Sequence, residues 1–164
     1  MQFKYTSQND VLSLLSCSYG IRYHILGSFS RSKRIFQWQK IIIRVMTDST
    51  SRISCRTPFW KLEKLTLTSQ YILSSMRFLL SNLEIYTFIT SVYNIITRLK
   101  LKQHKPIARL TMYDRSAYYN SINIYTTFLD DLTESVWNEK HFLLQQKNYL
   151  SGKTFYSLEK YMNA

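Results

Sequence analysis

Phe128-Leu129-Asp130-Asp131 places two adjacent carboxylates behind an aromatic residue. Such a pair could hold divalent metals for phosphoryl transfer, in which two ions clamp the attacking and leaving oxygens. That chemistry also needs a third carboxylate from a separate strand, and a hairpin tip to carry the pair. Here the two aspartates follow one helical pattern and precede the start of another, so a helix-capping turn is the reading and no catalytic residue is assigned. His24, His104 and His141 are scattered, with no second ligand four residues away and no paired cysteine, so no metal site and no cofactor are expected. Cys17 and Cys55 lack metal-like spacing and fit a reducing compartment. Cys55 lies between Arg52 and Arg56, yet a thiol nucleophile needs a base, and no histidine has a reason to meet it. No glycine loop is available to cradle a nucleotide, and no small-molecule substrate is implied.

The cations form a stronger pattern. The 164 residues carry a formal charge of +12, and clustered Lys and Arg release the counterions condensed on phosphate backbones. From Arg22 to Lys61 the only acid is Asp48, against Arg22, Arg31, Lys33, Arg34, Lys40, Arg44, Arg52, Arg56 and Lys61. A second acid-free run holds Arg98, Lys100, Lys102, Lys105 and Arg109. Candidate nucleic-acid contacts are therefore Arg31, Lys33, Arg34, Lys40 and Arg44, with Arg98, Lys100 and Lys102; they would follow an RNA or DNA backbone without reading bases. A solvated helix face is the alternative reading of the first stripe. Phe36 and Trp38 could stack on unpaired bases, although Trp38 shares the apolar face expected to point inward.

These side chains must be positioned by helices. Three glycines and two prolines are too few for a loop-rich or tightly turned all-β chain, while thirteen tyrosines and nine phenylalanines demand a structured interior. From Ser32 to Thr47, Ile35, Trp38, Ile42, Val45 and Met46 share one face of a helical period, with Lys33, Gln37, Lys40 and Arg44 opposite. An extended link, Ser54 to Pro58, leads to a short helical piece ending at Leu65. A long helix then runs from Thr68 to about Leu83, with Thr66, Thr68 and Ser69 as alternative caps. Between Glu84 and Ile96 the β-branched and aromatic residues leave helix and strand readings open. Asp114 or Ser116 can start a helix through Tyr125. Asp131 and Glu134 have capping-box spacing for a further helix that Gly152 would end, and Ser157 could cap a last turn through Tyr161. The expectation is a mainly α fold, an irregular helical bundle with a short strand as an alternative near 85–96. The basic stretch 98–107, ending its helix-poor run at Pro106, is the candidate linker between regions 1–97 and 108–164.

Phe78 to Ile96 contains one charge, Glu84, and basic residues follow it. Its length suits a membrane span, but Asn82, Glu84, Ser91 and Asn94 burden a hydrocarbon interior, so a core helix plus strand is preferred. Asn9 and Asp10 interrupt the opening, no secretory leader is expected, and cytoplasm or nucleus follows.

Ordered motifs recur along most of the chain. Ser54 to Ile72 reads SCRTPFWKLEKLTLTSQYI, and Lys153 to Tyr161 reads KTFYSLEKY. Between them lie Ile96-Thr97-Arg98, Arg109-Leu110-Thr111, and Ser116-Ala117-Tyr118-Tyr119-Asn120-Ser121-Ile122-Asn123-Ile124-Tyr125. Upstream stand Tyr19-Gly20-Ile21 and Arg34-Ile35-Phe36-x-x-Gln39-Lys40-x-x-Ile43-Arg44. This succession resembles the stretch that follows the polymerase core in reverse transcriptases of insect-type non-LTR retrotransposons of the Jockey kind. The chain departs from that pattern at Tyr19 to Gly27, which is longer and lacks a tryptophan, at Ile96 in place of asparagine, and at Tyr125 to Leu132, which lacks a proline. These departures look like drift.

The resemblance implies a thumb-adjacent or connector-like C-terminal region of an RNA-directed DNA polymerase, separated from its metal-binding palm. The parent enzyme would need divalent metal, whose ligands are absent from this chain, so this chain alone is not expected to polymerise. It also places Asp130-Asp131 at a turn well downstream of catalysis. The implied partners are the missing polymerase core and an RNA or DNA backbone. A helical interaction module without a nucleic-acid role, or a small membrane protein, are the alternatives.

Overall fold

A computed structural model describes residues 29–50, 52–93, 102–107, 109, 116–129 and 139–163. Among them the fold is all-helical apart from one isolated bridge: α1 (Phe29–Met46), α2 (Arg56–Lys61), α3 (Leu67–Ser81), a 3₁₀ turn (Leu83–Ile85), α4 (Ile89–Tyr93), α5 (Ala117–Leu129), α6 (Glu139–Lys153) and α7 (Leu158–Met162). The mainly α expectation holds. The chain divides into two compact units, Met1–Tyr71 with Lys147–Ala164, and Ile72–Gln146.

In the first unit α1 buries only part of the face its periodicity suggested. Trp38 is 68% exposed and Val45 61%, whereas Gln39, Ile43 and Met46 are buried and Phe36 half-buried. The buried stripe is thus one residue step, about 100°, from the expected one. Ile43 and Met46 form a core cluster with Cys55 and Phe59, against which Phe36, Ile42 and Leu62 pack. Gln39 explains the rotation. Its side-chain Nε2 donates to the Leu65 carbonyl at 3.1 Å and its Oε1 accepts from the Leu67 N–H at 2.9 Å. A buried amide is tolerated because it satisfies backbone groups that the start of α3 would otherwise leave orphaned.

Thr66, among the three expected caps, is the one used: its Oγ1 accepts from the Ser69 N–H at 3.2 Å. The same hydroxyl donates to the Phe155 carbonyl at 2.6 Å. The expected extended link at Ser54–Pro58 is instead the entry of α2, which begins at Arg56 and ends at Lys61 rather than reaching Leu65. Pro58 fits because the first turn of a helix needs no intrahelical N–H donor.

Three helices end on residues in the left-handed region, and none is glycine: Asp48 (φ 48°), Glu63 (φ 51°) and Thr154 (φ 43°). The Ser49 N–H returns to the Arg44 carbonyl after α1, and the Lys64 N–H to the Phe59 carbonyl after α2, both at 3.0 Å. These are the reversed bonds that cap exposed carbonyls. Gly152, the expected terminator of α6, lies inside its last turn, and the Thr154 N–H closes the helix on the Leu150 carbonyl. Ser157 caps α7 as expected, accepting from the Lys160 N–H at 3.4 Å. Phe155 meets Tyr161 edge-on at 5.4 Å and Tyr149 at 6.0 Å.

The second unit is an aromatic core around α5. Tyr119, Ile122, Ile124, Tyr125 and Phe128 are buried on it. Ser116 supplies the cap, accepting from the Tyr119 N–H at 3.4 Å. Tyr86 stacks on Tyr118 with centroids 4.7 Å apart and planes 4° from parallel, and its hydroxyl meets Ser121 Oγ at 2.7 Å. Because Ser121 Oγ donates to the Tyr118 carbonyl, Tyr86 is the donor in that pair. Phe142 packs edge-on against Phe128 at 5.3 Å. Of the open reading at 84–96, residues 84–93 form the 3₁₀ turn, the short α4 and one side of a single antiparallel bridge between Phe88 and Gln103, and 94–96 lie outside the described residues. No strand forms among the described residues there, since one bridged pair leaves nothing to extend a ladder. Asp130, Asp131 and the capping-box start lie outside the described residues.

Among the described residues no helix is long and apolar enough to cross a membrane.

Candidate nucleic-acid interface

The basic stripe of α1 meets the first unit's aromatic residues at its middle. Phe36 and Tyr156 lie edge to face with centroids 5.1 Å apart. Lys40 Nζ sits 4.3 Å from the Phe36 centroid and 5.2 Å from that of Tyr156. The Arg56 guanidinium approaches the Tyr156 ring at 5.5 Å. A ring face carries negative quadrupole charge and holds such cations without neutralising them.

Arg44 completes the cluster one turn along α1 from Lys40. Its Nη2 donates to the Ile53 carbonyl at 3.4 Å, while its Nε is buried without a hydrogen-bond partner. The Tyr156 hydroxyl is likewise buried and lacks a hydrogen bond of good geometry. Burial is the main cause that pushes the Tyr156 phenol up, with the Cys55 thiol adding to it. Ser54, Arg56 and Arg44 all lie close enough to oppose that rise, in that order. The arrangement therefore sets a neutral phenol, with Ser54 beside it, and a buried guanidinium N–H among three cations. A phosphodiester would be met by the accessible ends of these cations, Arg56 being exposed.

The expected contacts separate into groups. Lys33 and Arg34 are exposed near the start of α1, Lys40 and Arg44 are half-buried in the cluster, and Arg31 lies in α1 with its side chain outside the described residues. Lys102 is half-buried in the second unit, where its carbonyl accepts from the Ile89 N–H. Arg98 and Lys100 lie outside the described residues. Two members of the cluster, Arg56 and Tyr156, were not among the sequence candidates. Arg56 belongs to the acid-free run and to the SCR motif, so a signal for it existed; Tyr156 had none beyond its place in the closing motif.

Cys55 is buried and unpaired, packed with Ile43, Met46 and Phe59. His104 meets the Tyr93 ring edge-on at 5.7 Å. Among the described residues no three His, Cys, Asp or Glu side chains gather as metal ligands.

No family model matches the chain, and no curated protein or solved structure matches it either.

Proposed function

We propose that this chain binds RNA or DNA backbones without reading sequence, and that it derives from the region following the polymerase core of a Jockey-like reverse transcriptase. The observation that carries the binding reading is the convergence of Lys40, Arg44 and Arg56 around the Phe36–Tyr156 ring pair. Half-burial of Lys40 and Arg44 favours this over a merely solvated face, because desolvated cations gain more from a phosphate than freely hydrated ones do.

The derivation is supported by where the motif residues lie. Phe36, Gln39, Ile43 and Arg44 of the upstream motif, Cys55, Phe59 and Thr66 of the SCR segment, and Phe155 and Tyr156 of the closing motif belong to one unit and touch one another through the pairs described above. Ser116, Tyr118, Tyr119, Ser121 and Tyr125 serve as cap and core of α5. The motifs thus carry packing and capping roles, and the chain acts as a binding segment rather than a catalyst.

Fluorescence anisotropy of labelled RNA and DNA oligonucleotides with the full chain tests this over a salt series. Log affinity should fall linearly with log salt, and Lys40→Gln and Arg56→Gln should each reduce the slope by about one. Absence of binding at low salt, or slopes untouched by both variants, overturns the binding reading. Metal-dependent nucleotide incorporation by the chain alone overturns the assignment of a non-catalytic role.

A further inference from the structure

Two residues of the α1 face that periodicity assigned to the core, Trp38 and Val45, lie in solvent, with Ile41 between them. Trp38 is 68% exposed, Ile41 57% and Val45 61%. These positions follow one another at helical spacing. Arg34, exposed, stands one turn before Trp38, and the exposed pair Lys33 and Gln37 runs beside them. The largest apolar surface on this face is thus bordered by cations, in an acid-free stretch of helix.

We infer that Trp38, flanked by Lys33 and Arg34, is a stacking platform that makes the chain prefer single-stranded over duplex nucleic acid. This rests on the nucleic-acid reading above and adds the form of the ligand to it. An indole left in water gains most from a partner that offers both a flat apolar face and negative charge nearby. An unpaired base with its phosphate offers both. A duplex offers its phosphates but keeps its base faces stacked inside, so it would engage Lys33, Arg34 and the Lys40–Arg44–Arg56 cluster without reaching Trp38. Ile41 and Val45 extend the apolar shelf along the helix, where the sugar or a second base could lie.

The test compares anisotropy of a labelled single-stranded oligonucleotide with that of a duplex of the same length, at one salt concentration, using the full chain. Wild type should bind the single strand about ten-fold more tightly. Trp38→Leu should erase that preference and leave duplex affinity unchanged, while Trp38→Phe keeps part of it. Trp38 is exposed, so these variants should fold, which circular dichroism checks. Equal affinities for both ligands in wild type, or a preference that survives Trp38→Leu, sink the stacking inference while leaving backbone binding intact. Binding to neither ligand removes both readings. If Trp38→Leu instead changes the sedimentation of the chain and not its nucleic-acid affinities, the face is a contact between copies and the inference falls.

Discussion

The hydroxyl of Thr66 donates to the backbone carbonyl of Phe155 at 2.6 Å, joining positions 89 residues apart. The same oxygen caps α3 by accepting from the Ser69 N–H. One small side chain therefore starts a helix and holds the final segment of the chain against it. Thr66→Val keeps the shape but removes both functions, leaving a buried carbonyl and an orphan N–H. The expected loss is about 3 kcal/mol in urea unfolding, from the sum of a cap and an unsatisfied buried group. Thr66→Ser retains the hydroxyl and should lose less than about 1 kcal/mol.

Alkaline unfolding should be governed in part by Tyr125, which is 2% exposed and whose phenol is pushed up to about 12 by burial. An unfolded tyrosine ionises near pH 10. Between pH 10 and about 12 the unfolded chain releases this proton while the folded chain retains it, so stability falls as pH rises. Tyr125→Phe removes the titrating group. The slope of unfolding free energy against pH over that window should be shallower in the variant, and an unchanged slope refutes the assignment.

Two backbone positions offer simple gains. Glu63 is exposed yet held at φ 51°, a conformation glycine adopts at no steric cost, so Glu63→Gly should raise stability by up to about 1 kcal/mol. Gly152 lies within α6, and an added Cβ meets nothing within 4 Å. Gly152→Ala should add about 0.5–1 kcal/mol through helix propensity. Thermal unfolding of the two single variants checks both.

Gln146 is fully buried, and neither its Oε1 nor its Nε2 has a partner among the described residues. Replacing an unsatisfied amide by an apolar side chain of similar volume is neutral to stabilising. Gln146→Met should therefore leave the unfolding midpoint equal to or above that of the wild type. A marked drop would show that the amide is satisfied in solution, by ordered water for example.

The helices and several of their caps were legible because their signals are local. Ser116, Ser157 and Thr66 are residues whose oxygens compete for early helix N–H groups, and that competition needs no tertiary partner. The buried face of α1 was legible only in part, at Met46 and Ile42. Its apolar residues occupy two neighbouring stripes, and the choice between them is made by Gln39, a polar residue whose partners at Leu65 and Leu67 are distant in sequence. The end of α6 misled for a related reason: glycine is the usual left-handed terminator, yet here Thr154 takes that conformation. Of the cluster around Phe36 and Tyr156, the cations were visible as an acid-free run. The rings that organise them were not, since Phe36 and Tyr156 meet only after the chain has folded back on itself.

That return of the chain has a consequence during biosynthesis. Helix α1 is made more than a hundred residues before Phe155, Tyr156 and Tyr161, so the nascent first unit must wait for them with an apolar face uncovered. A premature stop codon before Phe155 would deny Thr66 its acceptor and Lys40 one of its rings. Shortened products of that kind would present unfilled surface to chaperones and proteases, and should be cleared from a cell faster than the full chain.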